Sequence, residues 1–168
     1  MDAAVAILVE DGHQDREFWY PNTRLKEAGA EVDVVSREDR QYESEHGYPV
    51  EPDATIDEVD TADYDAVVIP GGRECPDRLR RDEEVLDFVR AMDEQDSIVA
   101  AICHAGWVPA SAGILNGRQA TCYHSISDDV ANAGADYVDE EVVVDGNLIT
   151  SRHPGDLPAF LGAILDGL

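Results

Sequence analysis

Positive charge is scarce in this sequence, and lysine is almost absent. Twelve of the 168 residues are Lys or Arg against 37 Asp and Glu, and Lys26 is the one lysine. The formal net charge of −25 repels nucleic acids and anionic membranes, so neither is an expected partner. Because 43% of the residues are hydrophobic, the composition is still that of a folded chain. We interpret the acidic surface as the adaptation of a cytoplasmic protein to high salt and not as a set of metal sites; an ordinary acidic mesophilic protein is the alternative.

Cysteines and long apolar runs are scarce as well. The three cysteines, Cys75, Cys103 and Cys122, cannot form an even disulfide framework, and their spacing matches no zinc site. This excludes a disulfide-rich secreted domain and favours a reducing compartment. The first apolar run, Ala3 to Val9, is too short for a signal peptide or a membrane helix, so we expect a strand there. The length predicts a single domain over residues 1–168.

Short apolar runs alternate along the chain with amphipathic stretches. Strands are predicted at 3–9, 31–36, 66–69, 97–102 and 117–123, a hairpin at 142–150, and helices at 82–95, 107–112, 127–133 and 156–168. A further helix starts at Gln14 or Asp15 and contains Pro21, so a kink or break is expected near residues 19–20. Ser127 is the expected N-cap of its helix. This order predicts a flavodoxin-like three-layer α/β/α sandwich with a mostly parallel sheet.

The run from Ser97 to Ile102 ends in a reactive pair, Cys103 and His104, followed by small residues. Open α/β sheets bind their ligands at the carboxyl ends of the strands. The pattern is similar to a nucleophile elbow, a tight turn from strand to helix that raises one side chain above the sheet. The alternative for Cys103 is an unreactive core cysteine, because free Cys is among the most buried residue types.

Paired glycines follow the strand at 66–69. Gly71 and Gly72 allow the backbone to approach a ligand closely and to point N–H groups at it. A plain turn is the alternative for an isolated Gly-Gly pair.

Together these motifs resemble the PfpI intracellular-protease family, a branch of the DJ-one superfamily. The matching stretches are Pro70-Gly71-Gly72-Arg73, Ala101-Ile102-Cys103-His104-Ala105-Gly106, and the segments 46–50, 111–118, 128–135, 141–147 and 151–157. The resemblance covers nearly the whole chain. It implies a class I glutamine-amidotransferase-like sandwich without a cofactor, assembled as a homodimer or hexamer. It also implies peptidase, glyoxalase III or deglycase activity on a peptide or a small carbonyl compound.

The resemblance assigns roles to individual residues. Cys103 takes the place of the nucleophile, and His104 that of the adjacent histidine. Glu17 takes the place of a carboxylate that lies against the cysteine. The remaining assignments are the N–H groups of Gly71, Gly72 and His104 as oxyanion donors, Tyr123 near the pocket, and Asp77 as an acid that reaches the histidine of a neighbouring subunit. A thiolate beside a carboxyl and a histidine is suited to nucleophilic attack on carbonyl carbon.

Three positions depart from the family pattern. Asp77 is one methylene shorter than the usual Glu, so the contact between subunits is in question. Gln14 stands where a second acidic residue is usual. Cys75 follows Gly72 by three residues, and we interpret it either as a loop cysteine without a role or as a resolving thiol that captures oxidised Cys103 as a disulfide.

We therefore predict an enzyme that forms a covalent adduct between Cys103 and a carbonyl carbon. A redox sensor or stress chaperone that uses oxidation of Cys103 is the alternative from another class, since both functions need an accessible thiolate. A glutaminase domain is disfavoured because its distant histidine–glutamate pair has no counterpart here.

Overall fold

The computed structural model describes all 168 residues and places a seven-stranded sheet at the centre of the molecule. The strands are β1 (Ala4–Leu8), β2 (Glu31–Ser36), β3 (Tyr42–Glu43), β4 (Pro49–Val50), β5 (Ala54–Thr55), β6 (Ala66–Ile69), β7 (Ile98–Ile102), β8 (Gln119–Ala120), β9 (Asp136–Tyr137), β10 (Val142–Asp145) and β11 (Leu148–Ser151). The helices are α1 (Asp15–Glu27), α2 (Glu74–Leu79), α3 (Glu83–Glu94), α4 (Trp107–Ala112), α5 (Ser127–Asn132) and α6 (Leu157–Gly167).

The central sheet is almost entirely parallel. Its strand order is β10-β11-β7-β6-β1-β2-β5, and only β10 runs antiparallel to its neighbour. Strands β6 and β7 are buried at every position because helices cover both faces of the sheet. Residues of α2, α3 and α4 pack on one face, and residues of α1 and α6 pack on the other. The predicted flavodoxin-like α/β/α sandwich is confirmed.

The predicted strands agree closely with the structure where the apolar runs are fully buried. Predicted strands 31–36 and 66–69 have the observed bounds, and those at 3–9 and 97–102 are one residue too long at one or both ends. The hairpin at 142–150 is confirmed as β10 and β11, which turn at Asp145 to Asn147. Gln14 is the N-cap of α1, where its side chain accepts hydrogen bonds from the N–H groups of Arg16 and Glu17.

Three local predictions are wrong. Helix α1 runs unbroken through Pro21, so no break is present where a kink or break was expected near residues 19–20. Pro21 is buried against the core, and packing of the helix offsets the lost hydrogen bond. The strand predicted at 117–123 reduces to β8, which pairs with β9 outside the central sheet. Ser127 is the first residue of α5 and not its cap, because a 3-10 turn at 124–126 leads directly into the helix.

The carboxyl ends of β1, β6 and β7 lie side by side, since these strands are neighbours and parallel. The loops that follow them therefore meet at one edge of the sheet. The N–H of Gln14, in the loop after β1, donates to the carbonyl oxygen of Gly71, in the loop after β6, at 3.1 Å. None of the helices is both long and apolar enough to cross a membrane.

The charge of the chain leads to a prediction about its stability. We expect the melting temperature to rise by roughly 5–10 °C between dilute buffer and 1 M KCl, because salt shortens the range of the repulsion within a chain of net charge −25. Thermal unfolding followed by circular dichroism across a KCl series measures this. A melting temperature that is flat or falls with salt contradicts the interpretation, since it would mean that the exposed ion pairs contribute more than the repulsion costs.

Candidate active site

Cys103 lies at a sharp turn where β7 ends. Its backbone adopts φ = +64°, a left-handed conformation that is rare for residues other than glycine and costs about 1–3 kcal/mol. The turn is held from outside, since the N–H of Tyr123 donates to the carbonyl oxygen of Cys103 at 3.1 Å. The side chain is 7% exposed. The geometry of a nucleophile elbow, predicted from the sequence, is therefore present.

Glu17 is the buried carboxyl of the site. It lies in the first turn of α1 and is completely buried. The N–H of Gly71 donates to its Oε2 at 2.8 Å, whereas Oε1 has no nitrogen or oxygen partner. Cys103 lies against this carboxyl, since a Cβ added to Gly71 would overlap Oε2 of Glu17 and lie 2.7 Å from the Cβ of Cys103. Glu17 and Cys103, which are far apart in the sequence, are thus in direct contact.

The two acids of this pair affect each other's ionisation. Burial raises the pKa of the Glu17 carboxyl to about 8, although hydrogen bonds from Gly71 and Cys103 act to lower it. Burial and then the charge of Glu17 raise the pKa of the Cys103 thiol, while the N–H groups of His104 and Gly72 act to lower it. The two groups therefore titrate as one unit, which holds a proton on each group at neutral pH and loses the first of the two near pH 8.

His104 lies on the other side of the sulfur. Its Nδ1 is 3.3 Å from Cys103 Sγ, and its Nε2 is 3.3 Å from Ser125 Oγ. The ring stacks on Tyr123 with centroids 4.8 Å apart and meets the edge of Trp107 at 5.3 Å. Burial, followed by the charge of Arg73, lowers the pKa of His104. The imidazole is therefore neutral at physiological pH and can accept a proton.

The backbone donors around the sulfur differ from the expectation at one position. The N–H groups of Gly72 and His104 form hydrogen bonds to Cys103. The N–H of Gly71 donates to Glu17 instead, and its role as an oxyanion donor stays a prediction. The physical reason for this hydrogen bond is that a buried carboxyl needs a donor, and the N–H of Gly71 is the one within reach. Gly72 adopts φ = +88°, which explains the need for glycine there.

Gly71 has no room for a side chain, which provides a test of the pair. A Cβ at this position would overlap Oε2 of Glu17 and lie 2.7 Å from the Cβ of Cys103. We expect Gly71→Ala to separate the two acids, to lower activity by about 10²-fold and to destabilise the fold by about 1–3 kcal/mol. Activity assays and chemical denaturation measure the two effects.

The matched control is Gly162→Ala in α6, where a Cβ meets no atom within 4 Å. This change leaves activity at the wild-type value and stabilises the helix slightly, because Ala has the higher helix propensity. Wild-type activity in Gly71→Ala would show that close contact between the carboxyl and the cysteine is unnecessary.

A polar cleft of about 1030 Å³ opens beside the cysteine and not directly over it. Gly12, Arg73, Asp77 and Trp107 are among its lining residues, whereas Cys103 and Glu17 are not. Asp77 is exposed and pairs at 3.5 Å with Arg81, which lies two residues beyond the end of α2. Its contact with a histidine of a neighbouring subunit, and the homodimer or hexamer that this implies, stay predictions.

The other two cysteines are unpaired and buried. Cys75 is completely buried in the apolar cluster on one face of the sheet, whereas Cys103 is grouped with the residues of the opposite face. Burial raises the pKa of Cys75 well above its usual value. A disulfide with Cys103 would require α2 to move out of the core, and the role of Cys75 as a resolving thiol stays a prediction.

Three residues of the site were not predicted from the sequence, namely Ser125, Trp107 and the cleft residue Arg73. Ser125 follows the polar end of the strand expected at 117–123, and the rule that polar residues at strand ends mark a site would have included it. Trp107 starts α4 and is indistinguishable from a core aromatic in the sequence. The structure contains no group of His, Cys, Asp or Glu side chains placed to hold a metal ion.

Comparisons with known proteins agree with this geometry. The model of the DJ-1/PfpI family matches residues 3–167. A relative in Thermococcus kodakarensis named deglycase TK1284 is 47% identical over 157 residues, which are 94% of each chain. The crystal structure of Drosophila melanogaster DJ-1beta superposes with a TM-score of 0.94 at 31% identity, covering 100% of this chain and 91% of that one.

A structure of a two-domain protein from Anabaena variabilis, which contains a DJ-1/ThiJ/PfpI-like and a ferritin-like domain, superposes with a TM-score of 0.95 at 46% identity. The match covers 98% of this chain and 48% of that protein, so the present chain spans about half its length.

Proposed function

The chain belongs to the DJ-1/PfpI family, and from that premise we propose a cofactor-free enzyme that acts on carbonyl carbon through a covalent adduct on Cys103. The substrates are 2-oxoaldehydes such as methylglyoxal and the adducts that these form with amines and thiols. The observation that carries the proposal is the position of the sulfur, which lies beside the buried carboxyl of Glu17 and 3.3 Å from Nδ1 of a neutral His104. The name of the Thermococcus relative supports the substrate class.

The first step is addition to the aldehyde. The sulfur of Cys103 attacks the aldehyde carbon, the carbon–oxygen double bond opens, and the remaining proton of the pair stays on the carboxyl of Glu17. The new oxyanion accepts hydrogen bonds from the N–H groups of Gly72 and His104, which point at the sulfur in the free enzyme. Transfer of the proton from Glu17 to this oxygen completes a hemithioacetal.

The second step moves hydrogen within the adduct. Neutral His104 takes the proton from the carbon bonded to sulfur and returns it to the neighbouring carbon. The hydroxyl proton moves from the first oxygen to the second by way of the Glu17 carboxylate, so the hemithioacetal becomes a thioester of lactate. Water then attacks the thioester carbon, the carbon–sulfur bond breaks, and Cys103 leaves with a proton. The sum is methylglyoxal plus water to lactate, with no external oxidant or reductant. When the substrate is a hemithioacetal or carbinolamine, its carbon–sulfur or carbon–nitrogen bond breaks as the sulfur of Cys103 bonds to the same carbon, and the thiol or amine leaves with a proton.

The test is to supply the purified protein with methylglyoxal, with its adducts of N-acetylcysteine and N-acetyllysine, and with a fluorogenic peptide series. We expect lactate from the first group at a rate that exceeds turnover of every peptide. Lactate is measured by an enzymatic assay under conditions in which the uncatalysed rate is subtracted. Peptide hydrolysis without lactate would replace this reaction with the peptidase activity that the sequence analysis also left open.

A redox function of the same cysteine is favoured by one observation, the position of Cys103 beside a buried carboxyl whose pKa is raised to about 8. A protonated carboxyl at this position would donate to an oxygen of a sulfinate and stabilise it. Mass spectrometry after treatment with two equivalents of peroxide, the amount that converts a thiol to a sulfinate, distinguishes this case. If the protein forms no lactate from any 2-oxoaldehyde and Cys103 converts quantitatively to sulfinate, the redox function replaces the enzyme.

A further inference from the structure

Most basic side chains of this acidic chain are neutralised by carboxylates. Ion pairs involve Arg24, Arg37, Arg40, Arg78, Arg81, Arg90, Arg118 and Arg152. The side chains without such a partner are Arg16, Lys26, Arg73 and Arg80. Arg80 is engaged in another way, since its Nε donates to Ser111 Oγ at 3.0 Å and its guanidinium lies over the ring of Trp107.

Arg73 differs from the other unpaired cations by its position. It directly follows Gly72, whose N–H is hydrogen-bonded to the reactive sulfur. Its side chain is exposed, makes no hydrogen bond within the chain, and lines the cleft together with Trp107, which packs on His104. An unpaired guanidinium thus stands in the cleft, one residue from a donor to the nucleophile.

The other charged residues that line the cleft are either acidic or already paired. The acidic lining residues are Asp11, Glu43, Glu45, Glu74 and Asp77. The other two arginines of the cleft are occupied, because Arg40 pairs with Asp11 at 2.9 Å and Arg78 pairs with Glu74. An anion that enters the cleft therefore meets repulsion everywhere except at Arg73, where a planar fork of N–H donors is free.

We propose that Arg73 is a specificity-determining residue that binds a carboxylate on the substrate whose carbonyl carbon is held at Cys103. The enzyme then prefers 2-oxoaldehyde adducts of amino acids and other carboxylate-bearing compounds over neutral adducts of the same aldehyde. This inference rests on the proposed function and names its substrate class. An exposed guanidinium without an ion-pair partner breaks no contact within the chain on binding a carboxylate, and the charge-assisted pair is bidentate.

The experiment compares two substrates that differ only in this charge. They are the hemithioacetals of methylglyoxal with N-acetylcysteine, which carries a carboxylate, and with N-acetylcysteine amide, which does not. Both give lactate and the free thiol when water is added, and an excess of thiol keeps free methylglyoxal low. For the wild type we expect a higher kcat/KM with the carboxylate, and for Arg73→Gln a ratio of the two values that falls by about 10–100-fold.

Further variants test whether the preference depends on a positive charge at residue 73 in particular and on the shape of the guanidinium. Arg73→Lys keeps the charge without the fork and retains part of the preference, whereas Arg73→Glu inverts it. The control Lys26→Gln removes another unpaired charge, on the last turn of α1, and leaves the ratio unchanged. If folded Arg73→Gln has the same ratio of kcat/KM values for the two substrates as the wild type, the proposal for Arg73 is wrong. Lactate formation by the wild type would still support the proposed function in that case.

A second readout is independent of turnover. Iodoacetate and iodoacetamide both alkylate Cys103 with loss of iodide, and only iodoacetate carries a carboxylate. We expect Arg73→Gln to slow labelling of Cys103 by iodoacetate relative to iodoacetamide by about 10-fold or more, measured by mass spectrometry. If lactate never forms, this ratio still decides whether Arg73 attracts an anion to the cysteine. Equal slowing of both reagents would mean that Arg73 acts on the cysteine itself and not on an anion.

Discussion

Replacing Cys103 with serine is expected to lower lactate formation by about 10³-fold or more, because the hydroxyl is a far weaker nucleophile without a strong base and the adduct no longer forms. The effect is in kcat, since the cleft that holds the substrate is untouched. A serine also fits the volume at φ = +64° where the cysteine sits. Steady-state kinetics, together with mass spectrometry of acid-quenched protein for the lactate thioester on Cys103, measure the change.

The control is Cys122→Ala, which removes a thiol that is 1% exposed and whose pKa burial raises to about 12. We expect activity within about twofold of the wild type, since an unionised core thiol packs as a small apolar group. Limiting iodoacetamide should label Cys103 before Cys122 and Cys75. Cys103 is not the nucleophile if iodoacetamide labels Cys122 or Cys75 first. The same conclusion follows if Cys103→Ser has wild-type activity.

The central strands of the sheet are predictable from the sequence because they are buried on both faces and therefore consist of apolar residues alone. Ala66 to Ile69 and Ile98 to Ile102 are uninterrupted apolar runs, and each ends in residues that cannot continue a strand. The position of Cys103 at the end of such a run therefore follows from pattern alone. The helix through Pro21 does not follow, because tertiary packing supplies free energy that local propensity cannot register.

The site itself is only partly accessible to this reasoning. The family resemblance placed Glu17 near the cysteine, but the assignment of the N–H of Gly71 depends on which acceptor lies within 3 Å, and no pattern encodes that. Ser125 lies within hydrogen-bond distance of His104 because of a short 3-10 turn. The sequence did not predict this turn, since a strand was expected immediately before it. Arg73 is one arginine among eleven in the sequence, and only the structure shows that its neighbours leave it unpaired.

Replacing Glu17 with glutamine is expected to lower kcat/KM by about 10²–10⁴-fold while the fold becomes more stable. Glutamine keeps an oxygen for the N–H of Gly71 and a donor for the sulfur, but it cannot accept the proton of the thiol. In the wild type, kcat/KM should rise with pH to a midpoint at or below about 8, since the pair loses its first proton no later than the carboxyl would alone. In Glu17→Gln the midpoint moves up, because the buried thiol has to ionise without a partner.

Stability should respond to pH in the opposite direction, which separates the role of Glu17 in chemistry from a role in the fold. The pKa of Glu17 rises from 4.5 to about 8 on folding, so the native state holds a proton that the unfolded chain has lost between these values. The wild type therefore loses stability as pH rises through this window, by on the order of a few kcal/mol, and Glu17→Gln does not.

Melting temperatures from pH 5 to 9 test this: the two curves meet near pH 5, and the variant lies higher at pH 8. Glu27→Gln, an exposed change on the same helix, leaves both activity and the pH dependence of melting as in the wild type. If Glu17→Gln melts below the wild type at pH 8, the carboxyl is an ionised structural group. If it retains wild-type kcat/KM, proton transfer in the reaction belongs to His104 alone.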